Sequence, residues 1–274
     1  MDKASGDKPT GCCTAFVAED PFCLSLWALF FILWSLSVLF MTTFQINQLR
    51  EWAQIYHVPA FIDADPVQFP HRYTAKCDIE ISGLLTALLS FGNRTQILKK
   101  AEELDELMGR APLRYVRSGK WKEDFCAADR SSFYRMLSHA DLRGYFEKLD
   151  AVYAKGMSLE DALMTYRGTP MQRLCAFMGV SDRSPQKKLN MFLRWMIRRN
   201  SPVDFGIWQQ MSPGELLIPL DTHVCRVAFQ LGLTDKPTFS LANARRITDS
   251  LAELFPGDPC MGDFALFGYG VNHK

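Results

Sequence analysis

The sequence predicts an all-α fold. Apolar residues return at helical spacing in segment after segment, and glycine and proline mark the gaps between them. No β-rich run, internal repeat or low-complexity tract interrupts that pattern, and most connections are short. At 274 residues and 48% hydrophobic content, the chain can bury the core of one large domain or of two lobes.

Residues 1–40 do not match the rest of the chain. Phe22 to Met41 is almost wholly apolar, and about 20 such residues span a bilayer core as a helix. The stretch before it is net acidic and no A-x-A-like site comes after it, so it is a poor secretory signal. Two readings stand side by side. Residues 22–41 are a membrane anchor, or residues 1–40 are translated upstream sequence and the natural start is Met41. Lysine and arginine are sparse on both flanks, which leaves an anchor's orientation open. In either case the segment is expected to lie outside the main fold. No second span occurs after Leu49, so a polytopic transporter is excluded.

Downstream, Phe44, Leu49, Trp52 and Ile55 predict a helix over 44–56. Three prolines make residues 57–71 read as an extended loop. Asp78 opens a helix with Ile79, Leu84, Leu85, Leu88 and Leu89 as core, halted at Phe91-Gly92-Asn93-Arg94-Thr95. Helices over Thr95–Met108 and Pro112–Val116 come next, separated by a glycine–proline break. Four more are expected at Phe133–Leu137, Leu142–Ala154, Leu159–Met164 and Pro170–Met178. Pro185 starts a long helix to Arg199, and the last three cover Asp221–Leu231, Leu241–Leu254 and Pro259–Tyr269.

Net charge is only +1, so the whole chain carries no strongly basic field. Residues 1–40 hold more acid than base, which leaves the remainder weakly positive. The eight cysteines include no C-x2-C pair, so no zinc site is written locally; most read as small buried hydrophobes. No cofactor and no metal is called for. His223 reads as a residue on the exposed side of its helix, without a metal role.

Two segments carry chemistry. In the helix after Pro185, Leu189, Phe192, Leu193 and Met196 form an apolar stripe, and Lys187, Arg194 and Arg198 fall opposite it. No acidic residue occurs between Asp182 and Asp204, so these cations suit a phosphate backbone, or else a solvated face. Lys188 sits on a shoulder, where partial desolvation and neighbouring cations would free an amine nucleophile. The second segment runs Ile218-Pro219-Leu220-Asp221-Thr222-His223-Val224-Cys225-Arg226-Val227-Ala228. It places Asp221 where an apolar approach becomes an amphipathic helix, the position of an N-cap. Trp195 and Trp208 read as core, and Asp258, Asp263 and Asn272 as helix caps.

The Asp221 run resembles the catalytic-aspartate motif of the helix-hairpin-helix DNA glycosylase superfamily, the endonuclease III-like enzymes. Within it the chain is most similar to archaeal 8-oxoguanine glycosylases. It resembles still more a bacterial family of unknown function sharing the blocks Asn190–Met196, Pro219–Val224 and Asp263–Gly268. The resemblance covers Phe44 to Asn272. It implies a two-lobed helical fold, with residues 41–77 and 219–274 as a discontinuous lobe and 78–218 as a barrel lobe. It also implies a monomer that excises an oxidised purine such as 8-oxoguanine from damaged double-stranded DNA, with or without AP-lyase activity. Asp221 and Lys188 would face each other across the cleft as catalytic residues, with Lys187 the alternative nucleophile. Asn93 and Arg94 would fill the gap left by a flipped base, although Gly92-Asn93 is equally an ordinary turn. Phe69, His71 and Tyr73 are candidates for a base pocket, with plain packing the competing account. The expected location is cytoplasmic and nucleoid-associated, or membrane-anchored if residues 22–41 are an anchor.

The chain departs from the superfamily in three ways. It lacks the Leu-Pro-Gly-Val-Gly-x-Lys hairpin, its Lys188–Asp221 gap is long, and only Cys260 lies beyond Cys225, so no four-cysteine iron–sulfur loop is present. The missing hairpin leaves open a non-catalytic nucleic-acid-binding protein, and residues 22–41 leave open a membrane-tethered interaction protein.

Overall fold

Helix starts are written in local caps. At α1 (Thr43–Tyr56), Thr42 Oγ1 accepts from the Gln45 amide while Gln45 Oε1 accepts from the Thr42 amide at 2.7 Å, a capping box. The computed structural model describes residues 42–273. After α1 come α2 (Phe61–Ala64), α3 (Lys76–Leu89), α4 (Arg94–Leu107), α5 (Pro112–Ser118) and α6 (Trp121–Asp124). A two-stranded hairpin, β1 (Ser132–Tyr134) and β2 (Leu137–Ser138), leads into α7 (His139–Tyr153), α8 (Leu159–Met164) and α9 (Pro170–Met178). The last four helices are α10 (Lys187–Ile197), α11 (Thr222–Gln230), α12 (Leu241–Leu254) and α13 (Cys260–Asn272).

The mostly helical fold agrees with the sequence reading, with three corrections. Residues 57–71 are not extended: they hold α2 and 3-10 turns at Pro66–Gln68 and Pro70–Arg72. Pro66 and Pro70 occupy first helical positions, where a missing N–H leaves nothing unpaired. Phe133–Leu137 is not a helix but the hairpin, with Tyr134 opposite Leu137. The short helix α6 has no counterpart in the sequence reading.

Two helices organise the packing. α3 is buried from Ile79 to Leu89 and lies against α10. Gly83 brings them together, because a Cβ there would meet Met196 Cε at 3.1 Å and Phe192 at 3.3 Å. α13 gathers α1, α11 and α12. Its Gly268 faces the Tyr56 ring with no room for a Cβ, and Gly270 does the same against His223 and Val227. Trp52 stacks on Tyr269 at 3.7 Å between ring centres.

Trp195 and Trp208 are core residues, as expected. Trp208 Nε1 donates to the buried Glu80 carboxylate at 2.7 Å, which also accepts from Tyr153 Oη and the Leu159 amide. Burial nonetheless pushes the Glu80 carboxyl above its ordinary range. Cys175, Cys225 and Cys260 are buried, whereas Cys126 is exposed.

No helix among the described residues is long and apolar enough to cross a membrane. The apolar segment 22–41 lies outside the described residues.

Candidate functional site

Asp221 is the N-cap of α11. Its carboxylate accepts from the Val224 amide at 2.9 Å, and the approach through Ile218, Pro219 and Leu220 is buried. Asp221 itself is half-buried. The next helix face is locked to α13: His223 Nδ1 pairs with the Gly270 carbonyl at 2.7 Å, and Arg226 donates to the same oxygen. His223 is therefore not on an exposed side, because Gly270 lets α13 close over it.

The α10 cations require the largest correction. Arg194 is 5% exposed and Arg198 2% exposed. Arg194 pairs with Asp204 at 3.2 Å and Asp263 at 2.6 Å; Arg198 pairs with Asp204 at 2.9 Å and Asp258 at 2.8 Å. Neither can reach a phosphate backbone. α10 is buried all round from Leu189 to Arg198, so its polar stripe meets acids from distant segments rather than solvent. Asp258 and Asp263 are correspondingly partners of these arginines, not caps. His57 joins this network: its Nε2 lies 2.7 Å from Arg198 and 2.8 Å from Ser201 Oγ. Burial and the Arg198 charge lower its pKa to about 4.

Lys187 continues the stripe at the open end of α10, being i, i+3 and i+7 with Asn190 and Arg194. It is half-buried, and its Nζ donates to the Ser90 carbonyl at 3.4 Å. Lys188 takes a different direction. Burial lowers its pKa first, the Lys187 charge adds to this, and Asp141 at the start of α7 opposes it. Its charged neighbours are thus Lys187 and Asp141.

A carboxyl cluster gathers around Arg194. Asp263 sits in the first turn of α13, with one oxygen on Arg194 and the other buried without a hydrogen-bond partner. Burial raises its pKa to about 6; Arg194 opposes the rise, and the Asp221 and Asp204 charges add to it. Asp65 caps the first 3-10 turn through the Val67 amide at 3.0 Å. Burial raises its pKa as well, and the positive charges of Arg194, Arg94 and Lys187 counter that. Asn190 Oδ1 is another buried acceptor without a partner. A buried carboxyl such as Asp263, with its pKa raised to about 6 beside a guanidinium, is a group that general acid–base chemistry can use.

Arg94 borders this cluster through its charge on Asp65, and Asn93 precedes it in the turn. Asn93 is exposed and caps α4 through the Gln96 amide at 3.2 Å, so its ordinary role is realised. The Arg94 guanidinium lies 5.8 Å from the ring centre of Phe267. Phe267 is one helical turn beyond Asp263 and also borders His223 and Phe61. Asp65, Asp263 and Phe267 were not singled out as site residues from sequence. The i, i+4 spacing of Asp263 and Phe267 was the one local signal.

The expected base pocket does not form. Phe69 is 2% exposed and part of the core, with Arg72 over its ring at 4.4 Å. Tyr73 donates to Asp105, and His71 stacks on Phe205 while pairing with the Val203 carbonyl at 2.7 Å. The 3-10 turns aim each ring at a different packing partner. A cavity of about 690 Å³ lies beside His57, Arg198 and Asp258, and its lining includes neither Asp221 nor Lys187. Among the described residues, no group of histidines, cysteines and carboxylates is arranged to hold a metal ion.

A family model described as "Protein of unknown function (DUF2400)" matches residues 65–178 and 169–272, and the chain belongs to that family. No curated protein matches it. No solved structure matches it either.

Proposed function

We propose, for this member of the DUF2400 family, that it excises a damaged base from double-stranded DNA, an oxidised purine such as 8-oxoguanine. A lysine of the first turn of α10 is the nucleophile and Asp221 its carboxylate partner. One observation carries the reading: Asp221 acts on a buried carboxyl, Asp263, which is held by Arg194 on the same α10 stripe that ends in Lys187. That stripe favours Lys187 over Lys188.

In this reaction Lys187 Nζ forms a bond to C1′ of the extruded nucleoside. The C1′–base bond breaks, and its electron pair leaves with the base, which takes up a proton. Asp221 faces the positive charge that builds on the sugar. Asp263, with its pKa about 6, accepts a proton from the amine or returns one. Opening of the sugar ring leaves a Schiff base on Lys187, and loss of a C2′ proton then expels the 3′ phosphate. In this reading Arg94 and Asn93 fill the gap left by the extruded base, and Phe267, one turn beyond Asp263, is a ring on which a base can stack.

Asp221→Asn tests the reading. Asparagine caps about as well as aspartate, so stability should change by about 1 kcal/mol or less. Single-turnover release of 8-oxoguanine from a duplex should fall by roughly two orders of magnitude or more. Equal rates for variant and parent overturn the assignment. A second reading, duplex binding without turnover, is favoured by the missing hairpin and by a cavity whose lining includes neither Asp221 nor Lys187. It predicts binding with no base release from the parent either.

A further inference from the structure

The far end of α10 sets a buried guanidinium in the wall of a cavity. Arg198 is the C-cap of the helix, and it lines the cavity of about 690 Å³ together with His57, Asp258 and Met261. That size falls in the range of small-molecule sites. Lys187 lies at the opposite end of the helix, about 16 Å away along its axis.

A guanidinium carries five N–H donors. The Nε–H of Arg198 is shared by the two Asp258 oxygens at 2.8 Å and 2.9 Å. Nη1 donates to His57 at 2.7 Å, to Asp204 at 2.9 Å and to Ser201 Oγ at 3.1 Å. Nη2 meets only the Met261 thioether, at 3.1 Å, which is a weak acceptor. Its other N–H has no partner among the described residues. A buried charged donor left in this state is costly, and an acceptor arriving from the cavity relieves that cost.

His57 adds a second donor. Arg198 can only donate, so His57 Nε2 accepts and the ring proton is assigned to Nδ1. Nδ1–H likewise has no partner among the described residues. The lowered pKa keeps the ring neutral near pH 7, so His57 brings a donor without a charge. The remaining walls are largely apolar, with Phe255 and three prolines. Charged groups in the lining are Arg198 and Arg199 against Asp258, which leaves one positive charge in excess. A cation would meet two guanidiniums, and a phosphate would bring extra negative charge beside Asp258. A single carboxylate matches both the donors and the charge.

We propose that this cavity binds a carboxylate carried on a compact apolar body. The carboxylate accepts from Arg198 Nη2 and His57 Nδ1, and the body lies against Phe255 and the prolines. A small organic acid carries that chemistry, and so does the C-terminus of a polypeptide ending in an apolar residue. The site goes beyond base excision and does not depend on it.

The test uses the full-length chain, titrated by calorimetry and followed by the ring resonances of isotope-labelled histidine. Phenylacetate is the small-acid probe, and phenylacetamide has the same shape without the charge. A hexapeptide ending in phenylalanine, with a free or an amidated C-terminus, is the polypeptide probe. Phenylacetate should bind with a Kd of about 1 mM or tighter and shift the His57 signals. Phenylacetamide should bind roughly tenfold or more weakly. A free-ended peptide that outbinds phenylacetate by about tenfold, and loses this on amidation, assigns a polypeptide end. A peptide that binds no tighter assigns a free acid. His57→Phe keeps an aromatic ring beside Phe264 but removes Nδ1–H, and it should weaken phenylacetate roughly tenfold. Pro256→Trp fills the mouth of the cavity from an exposed position, so it should melt with the parent and bind neither probe. No binding of either probe at about 10 mM overturns the site. So does equal binding of phenylacetate and phenylacetamide, displacement by an equal concentration of inorganic phosphate, or unchanged binding in Pro256→Trp. Base release by Pro256→Trp should match the parent's, so the site and the excision reading fail independently.

Discussion

Replacing Arg194 by methionine should destabilise the protein severely without acting through DNA. The side chain is buried and holds Asp204 at 3.2 Å and Asp263 at 2.6 Å, while a third carboxyl, Asp65, lies within its field. Methionine fills much of the space but strands these carboxylates. Breaking a buried pair by removing one partner costs about 3–5 kcal/mol, because the remaining charge stays desolvated. For a domain of this size each kcal/mol moves the midpoint by roughly 2–4 °C, so melting should fall by about 6–20 °C. Asp263→Asn in the same chain removes one stranded charge and should recover part of that loss, a coupling that a double-mutant cycle measures. Lys187→Gln is the contrast: on the same stripe but at its open end, it should stay within about 0.5 kcal/mol of the parent. Calorimetry on the parent, the two single variants, the double variant and Lys187→Gln decides the matter. An Arg194→Met variant that melts within about 2 °C of the parent yet loses duplex affinity would refute the argument and return Arg194 to a DNA-binding face.

Other outcomes rest on the same contacts. Asp263 has its folded pKa raised from 3.8 to about 6, so its contribution to stability is full below the unfolded value and is lost as pH rises through about 6. Asp263→Asn should flatten that fall in denaturant titrations run from about pH 4 to 7, and an unchanged profile would place the titration elsewhere. His57 has the opposite sign. Its pKa falls from 6.5 to about 4, so stability present above 6.5 is lost as pH drops, and His57→Gln should remove that acid-side loss. Phe69→Ala should cost about 3–5 kcal/mol as a core truncation. A small stability change with a large loss of duplex affinity would restore Phe69 to a base pocket.

Much of the helical scaffold was legible because its signals are local. α8, α9 and α12 begin and end where the sequence reading placed them, each behind a serine or threonine cap at Ser158, Thr169 and Ser240. The hairpin was missed because Arg135 occupies the turn position where a glycine or asparagine would have announced it. The polar stripe of α10 was misread for a different reason. A polar face normally points to water, but the acids that meet this one, Asp204, Asp258 and Asp263, come from segments that periodicity cannot bring together. The Asp221 cap was legible for the same local reason as the others. Its influence on Asp263 depends on how Gly270 seats α11 against α13.

Borohydride trapping on an 8-oxoguanine duplex, with the adduct mapped by mass spectrometry, tests the central claim most directly. The account predicts a covalent protein–DNA complex attached at Lys187, absent in Lys187→Gln, retained in Lys188→Gln and greatly reduced in Asp221→Asn. An adduct mapped to Lys188, or one that survives Lys187→Gln, would contradict the assignment of the nucleophile. No adduct and no base release from the parent would contradict the excision reading itself.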